Sequence, residues 1–398
     1  MSTIGSTGVR TPDRSSAGTR PLGSTVMSTR LGGCSSSRRP HPPAKGCPLI
    51  FSHDQLERLI RNLFNAAGCG PEEAGKIAHY LVGANLVGHD SHGVIRAPSY
   101  IDWLRAGKVM ANQSPDVVFE NDAIAIIDGR FGFGQVMGEA ALKIGIEKAG
   151  RQGVAVVALR NSGHLGRIGD WAEMAAAAGK VSIHFVNTSG GGILVAPHGG
   201  TERRLSANPI AAGVPVPGGP PIILDISTCT IAEGKIKVAL NQGVKVPAGC
   251  ILDGQGVPTD DPVAFYGTPP GAILPLGGHK GFGLSVIAEV LAGALTGGSC
   301  SHFGVDRVSN NMLSIVFDPA FFRPADGFFA EVAGFIEHVK SSRTITPDGE
   351  ILIPGEPEAR SRARRLADGI ELDDTTWGQI AATAATLGVP IDSRSTAP

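Results

Sequence analysis

Two imidazoles, a carboxylate, a hydroxyl and a guanidinium fall in one short stretch of this chain, Gly88-His89-Asp90-Ser91-His92-Gly93-Val94-Ile95-Arg96, with Tyr100 close behind. An imidazole exchanges protons near neutral pH, and a neighbouring hydroxyl or carboxylate can orient it. The planar fork of Arg96 matches a carboxylate in a bidentate way. Together these groups could hold a proton donor, the group that orients it, and a clamp for an anionic substrate. A polar loop between glycines also serves simply to cap a helix and solvate the surface, and the pattern alone does not choose. A second stretch of the same character is Asn161-Ser162-Gly163-His164-Leu165-Gly166-Arg167-Ile168-Gly169. As a bare pattern, a lone histidine after a strand is more often a satisfied structural residue.

Three further stretches suit a nucleotide. Asn187-Thr188-Ser189-Gly190-Gly191-Gly192, followed by Ser206-Ala207-Asn208-Pro209, offers exposed backbone N–H groups to a pyrophosphate, or is a plain glycine-rich hairpin. Leu224-Asp225-Ile226-Ser227-Thr228 puts a carboxylate at the end of a strand, where it can orient an imidazole or a ribose, or cap the next turn. Leu274-Pro275-Leu276-Gly277-Gly278-His279-Lys280-Gly281-Phe282-Gly283 sets Lys280 at a helix start, adding charge to backbone donors.

The elements that must position these groups are legible in outline. Ser52-His53-Asp54-Gln55 is a capping box, Leu56, Leu59, Ile60 and Leu63 share a face, and Gly68 stops that helix. A second helix opens at Pro71, turns Ile77, Leu81 and Ala84 inward, and delivers the chain to His89. The dipole at its end favours a protonated imidazole in the following segment. Strands are expected over 123–128, 154–159, 181–186, 222–225 and 311–317, and helices over 171–178 and 375–387. A strongly apolar helix, Leu284 to Leu295, reads as buried along Leu284, Ile287, Leu291 and Leu295. Pro354-Gly355-Glu356 opens a helix whose Arg360, Arg362, Arg364 and Arg365 read as a solvated face. Gly132, Gly134 and Gly138 are spaced G-x-G-x-x-x-G, and no acidic residue ends a strand about 20 residues on, so a Rossmann fingerprint is rejected.

Composition narrows the class. The chain has 398 residues, 42% hydrophobic and 18% charged, enough for a sizeable core in two or three domains or one large one. A formal net charge of -1 without a basic stripe gives no reason to expect nucleic acid or a membrane surface as partner. The apolar run from Leu284 is interrupted by Glu289 and is too short to span a bilayer. None of the six cysteines forms a Cys-x-x-Cys or a zinc-site spacing, so free thiols in a cytoplasmic protein are expected, with no metal. Residues 1–47 are Ser, Thr, Gly, Pro and Arg with one acid, Asp13, and are read as a disordered tail.

In order along the chain, DSHGVIR, NSGHLGRIG, SANP, LDIST and GGHKGFG resemble the malate/L-lactate dehydrogenase family that is unrelated to the Rossmann-type lactate dehydrogenases. The resemblance runs from about Phe51 to Val389. That family also holds ureidoglycolate, sulfolactate and diketogulonate enzymes and cyclic-imine reductases. The resemblance implies an α/β fold with a non-Rossmann NAD(P)-binding domain, a mostly antiparallel sheet flanked by helices, and a second, helical or mixed domain. By this division 48–131 begins the helical part, 132–301 binds cofactor and 302–398 completes the first domain. It implies a homodimer, NAD or NADP as cofactor, and a small carboxylate as substrate. His92 is then the acid/base, oriented by Ser91 and Asp225, with Arg96 clamping the carboxylate. His164 polarises the reacting oxygen or contacts the nicotinamide, and is the rival acid/base. Gly166, Ile168, Thr188, Asn208, Ile226, Ser227, Thr228, Lys280, Pro354, Gly355 and Glu356 line the cofactor. Relatives read Gly-Thr-Asn-Pro where this chain has Ser206-Ala207-Asn208-Pro209, so a hydroxyl is lost at Ala207. Two other readings stand beside the 2-hydroxy-acid dehydrogenase: a reductase of piperideine- or pyrroline-carboxylate, and an inert nucleotide-binding relative.

Overall fold

The Ser52 hydroxyl accepts from Gln55 N while the Gln55 side chain accepts from Ser52 N, and this reciprocal cap starts the first helix where the sequence puts it. The computed structural model describes residues 49–305 and 307–391; the tail read as disordered lies outside the described residues. In chain order, β1 (Leu49–Phe51) leads into α1 (His53–Ala66) and α2 (Pro71–Leu86). Two 3-10 turns, Asp90–His92 and Val94–Arg96, precede α3 (Ala97–Arg105). There follow β2 (Asp116–Glu120), β3 (Ile124–Asp128), α4 (Gly134–Gln152), β4 (Val154–Ser162), α5 (Gly169–Ala177), β5 (Val181–Ser189), β6 (Ile210–Val214) and β7 (Ile222–Ile226). Next come α6 (Glu233–Gln242), β8 (Ile251–Leu252), β9 (Pro258–Thr259), α7 (Pro262–Phe265) and α8 (His279–Ala288), which runs on as a π-helical turn, Glu289–Ala294. The chain ends in β10 (Ser309–Phe317), α9 (Ala325–Lys340), α10 (Glu356–Asp368), β11 (Ile370–Leu372) and α11 (Asp374–Leu387).

The main sheet has the order β2-β3-β4-β10-β5-β6-β7, and every pair is antiparallel except β3 with β4. α4 and α5 cover it, burying Met137, Leu142, Trp171 and Ala175 against Ile127, Val157, Leu159 and Val316. A second core joins α1, α2, α3 and α11 with the small β1–β11 ribbon, through Leu56, Ile60, Leu81, Tyr100 and Ile380. The boundary expected at 302 does not separate domains. β10 comes from beyond it yet sits at the centre of the sheet, paired on both sides, because the chain returns after α8 to fill the gap between β4 and β5.

Two other expectations change. Leu284, Ile287 and Leu295 are exposed, so the apolar stripe of α8 faces outward rather than into this chain's core. The glycines of the rejected fingerprint serve close packing. A methyl group on Gly134 would sit 2.2 Å from His164 O, and one on Gly138 would sit 2.5 Å from the Trp171 ring.

His184, wholly buried in the sheet, is held by Ser314 Oγ at 2.8 Å and Ser182 Oγ at 2.9 Å. Burial pushes its pKa down to about 3. The unfolded chain therefore binds the extra proton first, and the folded state loses ground as pH falls from about 6.5 towards 3. Urea midpoints of the wild type should drop on going from pH 7 to pH 5, and His184→Asn should flatten that slope by on the order of 1.4 kcal/mol per pH unit. An unchanged slope in the variant would contradict this origin.

Candidate active site

The segment carrying His92 is clamped from two sides. Asn85, buried near the end of α2, donates to Asp90 Oδ1 at 2.6 Å and accepts from Val94 N at 2.8 Å. Arg365 of α10 reaches Asp90 Oδ1 at 2.6 Å and Oδ2 at 3.0 Å. Gly93 is required here, because a Cβ would lie 2.2 Å from Asn85 Oδ1. The arginines of α10 are thus not simply a solvated face: Arg365 grips Asp90, and Arg362 reaches Glu173 at 3.3 Å.

Within this frame Ser91 Oγ lies 3.1 Å from His92 Nδ1, and Arg96 Nε donates to Ser91 O at 2.6 Å. The two terminal nitrogens of Arg96 make no hydrogen bond among the described residues, so its fork is free for a ligand. The loop after β4 brings His164 over His92, the rings stacked at 5.7 Å between centroids and 11° between planes. Tyr100 Oη sits 2.6 Å from His164 Nδ1, and Gln135 Nε2 sits 3.3 Å behind that hydroxyl.

Burial, then His164 and the cation of Arg96, hold the His92 pKa well below the ordinary value. His164 is pushed down to about 3 by burial and by Arg96. Both rings are neutral near pH 7. The dipole of α2 was expected to favour the imidazolium, but desolvation and the neighbouring guanidinium are the larger effects. Binding an anion at Arg96 would cancel that repulsion and raise the proton affinity of His92 when substrate is present.

Asp225 does not bond His92. Its Oδ2 accepts from Gly169 N at 2.8 Å and lies 3.7 Å from Arg167 Nε. Arg167, 1% exposed, also donates to Asp170 at 2.9 Å and Glu173 at 2.7 Å. This buried cation with three acids anchors the His164 loop to α5 and β7. Neither Arg167 nor Gln135 was singled out from the sequence. Tyr100 was seen near Arg96, but nothing local pointed to a partner 64 residues away.

The other predicted residues have partners in several separate places. Thr188 Oγ1 accepts from Asn310 at 2.9 Å, and Thr228 Oγ1 donates to Ala207 O at 3.0 Å. Asn208, buried, donates to Glu289 at 2.9 Å and to Ser285 Oγ at 3.0 Å, so its side chain ties loop to helix. Gly166 lies over Gln135, with a Cβ position 3.1 Å from Nε2, and Ile168 is buried at the start of α5. Ile226 ends β7, and Ser227 lines a cavity of about 420 Å³ together with Thr230 and Lys235. A position on Gly234 in the first turn of α6 is 3.4 Å from Ser91 Cβ, which places this region beside the histidines. Lys280 is exposed in the first turn of α8, whose N-terminus carries no side-chain cap. Pro354 O accepts from Ile223 N at 2.9 Å on the edge of β7, and Gly355 borders a cavity of about 760 Å³. Glu356 accepts from Ile353 N at 2.9 Å and pairs with Lys340, so it fastens its own turn.

Gly134 ties the start of α4 to the His164 carbonyl. Gly134→Ala should displace the His164 loop and lower kcat/KM by about 10². A variant with wild-type kinetics would mean that the loop position is not critical.

The malate/L-lactate dehydrogenase family pattern matches residues 51–381. Hydroxycarboxylate dehydrogenase B of Escherichia coli (strain K12) is 41% identical over 345 residues, covering 85% of this chain and 95% of that protein. A delta(1)-pyrroline-2-carboxylate/delta(1)-piperideine-2-carboxylate reductase of Pseudomonas syringae pv. tomato is 36% identical over 326 residues, covering 80% and 92%. The solved sulfolactate dehydrogenase of Methanocaldococcus jannaschii is 35% identical with a TM-score of 0.77, covering 85% of this chain and 98% of that one. The chain belongs to the malate/L-lactate dehydrogenase family.

Proposed function

We propose that this chain is an NAD(P)-dependent dehydrogenase that moves a hydride between nicotinamide and C2 of a small 2-hydroxy or 2-oxo acid of the malate/lactate type. The observation that carries this reading is the free fork of Arg96 beside two stacked, neutral imidazoles. Arg96 would hold the substrate carboxylate. His92, kept in place by Ser91, would take the proton of the carbinol oxygen in oxidation and return it in reduction. Its depressed pKa keeps it unprotonated near neutral pH, ready to accept that proton. A nicotinamide cofactor fits the predicted residues on one observation above all: Lys280 stands without an ion pair among the described residues, at an uncapped helix start, where backbone donors and a cation suit a pyrophosphate. Thr188, Ser227, Thr228 and the Pro354-Gly355-Glu356 turn would complete that cradle, with Gly166, Ile168, Asn208 and Ile226 shaping it. When bound, the cofactor accepts or supplies the hydride.

The homodimer is supported by the outward apolar stripe of α8, where Ile287 is 51% and Leu295 62% exposed, since a face of that kind needs cover. Sedimentation as a single chain would contradict it. Action in the cytoplasm agrees with the free thiols of Cys69, Cys229, Cys250 and Cys300, and a secreted pool would contradict that. Among the described residues no helix is long and apolar enough to cross a membrane.

A second reading, reduction of a cyclic imino acid, is favoured by the 36% identity to the pyrroline/piperideine-carboxylate reductase. The test is oxidation of NADH and NADPH by the purified protein against oxaloacetate, pyruvate, other 2-oxo acids and cyclic imino acids. Fast turnover of a 2-oxo acid supports the dehydrogenase. Turnover of imines alone moves the chain to the reductases, and binding without turnover revives an inert relative.

A further inference from the structure

His164 has one ring nitrogen anchored and the other open. Nδ1 faces Tyr100 Oη at 2.6 Å, while Nε2 has no partner among the described residues. The phenol in turn faces Gln135 Nε2 at 3.3 Å. A phenol has one proton to give. With the amide N–H donating to its oxygen, that proton is left for Nδ1, so Nδ1 must be the acceptor. A neutral imidazole has one acceptor and one donor nitrogen, so the proton of His164 then resides on Nε2.

We infer that Tyr100 is a positioning residue which, backed by Gln135, fixes His164 as the Nε2–H tautomer and so turns the open edge of the ring into a hydrogen-bond donor for the reacting oxygen of the substrate. The inference deepens the dehydrogenase reading and rests on it for the identity of that oxygen.

Three features give the relay its force. Tyr100 is 2% exposed and Gln135 1%, so water does not compete for either link. Burial raises the phenol pKa to about 12, which keeps its proton available to donate. Tyr100 is also fixed as a ring, stacked on Trp103 at 5.6 Å and packed on Phe133 at 6.3 Å. The arrangement divides the labour between the two histidines. If His164 donates to the oxygen, it cannot also remove that oxygen's proton. The acceptor is then His92, whose Nδ1 is the nitrogen that Ser91 holds and whose Nε2 has no partner among the described residues. The opposite orientation of Gln135, with its oxygen towards the phenol, would reverse every link and place the proton on Nδ1.

The test reads the tautomer directly. The full-length protein is labelled with 15N-histidine, and the ring nitrogens of His164 are observed by NMR at neutral pH without substrate. Loss of the signals in His164→Asn gives the assignment. The expected spectrum shows an unprotonated-type Nδ1 and a protonated-type Nε2. The reverse pattern overturns the inference. Tyr100→Phe keeps the packed ring and removes the relay. It should give averaged nitrogen shifts and lower kcat for a 2-hydroxy acid by about ten- to a hundredfold, the lower side of what a donor to a developing oxyanion is worth. KM should stay within about twofold, because a carboxylate clamp that acts equally in ground and transition states is untouched. Unchanged shifts in Tyr100→Phe overturn the inference, whatever the activity. Gln135→Leu removes the donor that leaves the phenol proton for Nδ1, so it should weaken the preference for the Nε2–H tautomer, and a fully retained preference there overturns the part assigned to Gln135. Because the spectra need no substrate, an Nε2–H tautomer in a protein that turns over no 2-oxo acid would defeat the functional reading and leave the tautomer standing.

Discussion

His92→Asn lowers turnover of a 2-hydroxy acid by about two to four decades, the usual worth of a positioned acid or base. The amide of Asn can still meet Ser91 Oγ, so the 3-10 turn keeps its shape. What it lacks is a basic nitrogen at the open edge of the ring. Arg96 remains bonded to Ser91 O, so KM should change little, and a fall in kcat and kcat/KM together marks an interaction made in the transition state. The pH profile carries a second signature. With the His92 pKa held well below the ordinary value, oxidation by the free enzyme should continue into mildly acid solution without the fall that an unshifted imidazole near pH 6.5 would impose. Turnover near wild type in His92→Asn would transfer the proton-acceptor role elsewhere, with His164 the first candidate.

Arg167→Met has the largest expected effect on stability. The side chain is buried, and its Nη1 holds Asp170 and Glu173 while Nε faces Asp225. Burial opposes its charge, but the three acids together hold it protonated. Removing the cation strands those acids in the same place, which costs about 3–5 kcal/mol for a broken buried pair. Asp170 is already pushed up to about 7 by burial, with Arg167 the chief opposing influence. In the variant the stranded carboxylates would have folded pKa values above their unfolded ones. The folded state would then bind more protons than the unfolded chain, so the deficit should shrink as pH falls. Urea unfolding at pH 8 and pH 5.5 measures both effects. A small deficit, equal at the two pH values, would show that water already screens the cluster.

Much of the local structure was legible because it depends on neighbours in sequence. The reciprocal Ser52–Gln55 cap, Pro71 at a helix start and the apolar runs that became β4 and β5 need only one or two turns of chain to be recognised. His92, Ser91 and Arg96 stood out for the same reason. What escaped depends on tertiary contacts. Tyr100 meets His164 across 64 residues, and Arg365 meets Asp90 across 275. Asp225 was a plausible partner for His92 from its strand-end position, but a buried guanidinium claims it more strongly than an imidazole does. The apolar period of α8 marked a face to be covered, and a period cannot say whether the cover is the same chain. β10 is recognisable as a strand from its own residues, yet only the assembled sheet reveals that it runs between β4 and β5.

The most direct test of hydride transfer uses a substrate labelled at one position. Deuterated 2-hydroxy acids of the malate and lactate type, carrying the isotope at C2, are incubated with the protein and oxidised NAD or NADP, and the reduced cofactor is analysed by mass. The account predicts that the reduced nicotinamide gains the deuterium and that the deuterated substrate is oxidised more slowly than the ordinary one. Reduced cofactor without label, or oxidation of neither acid with either cofactor, would contradict it.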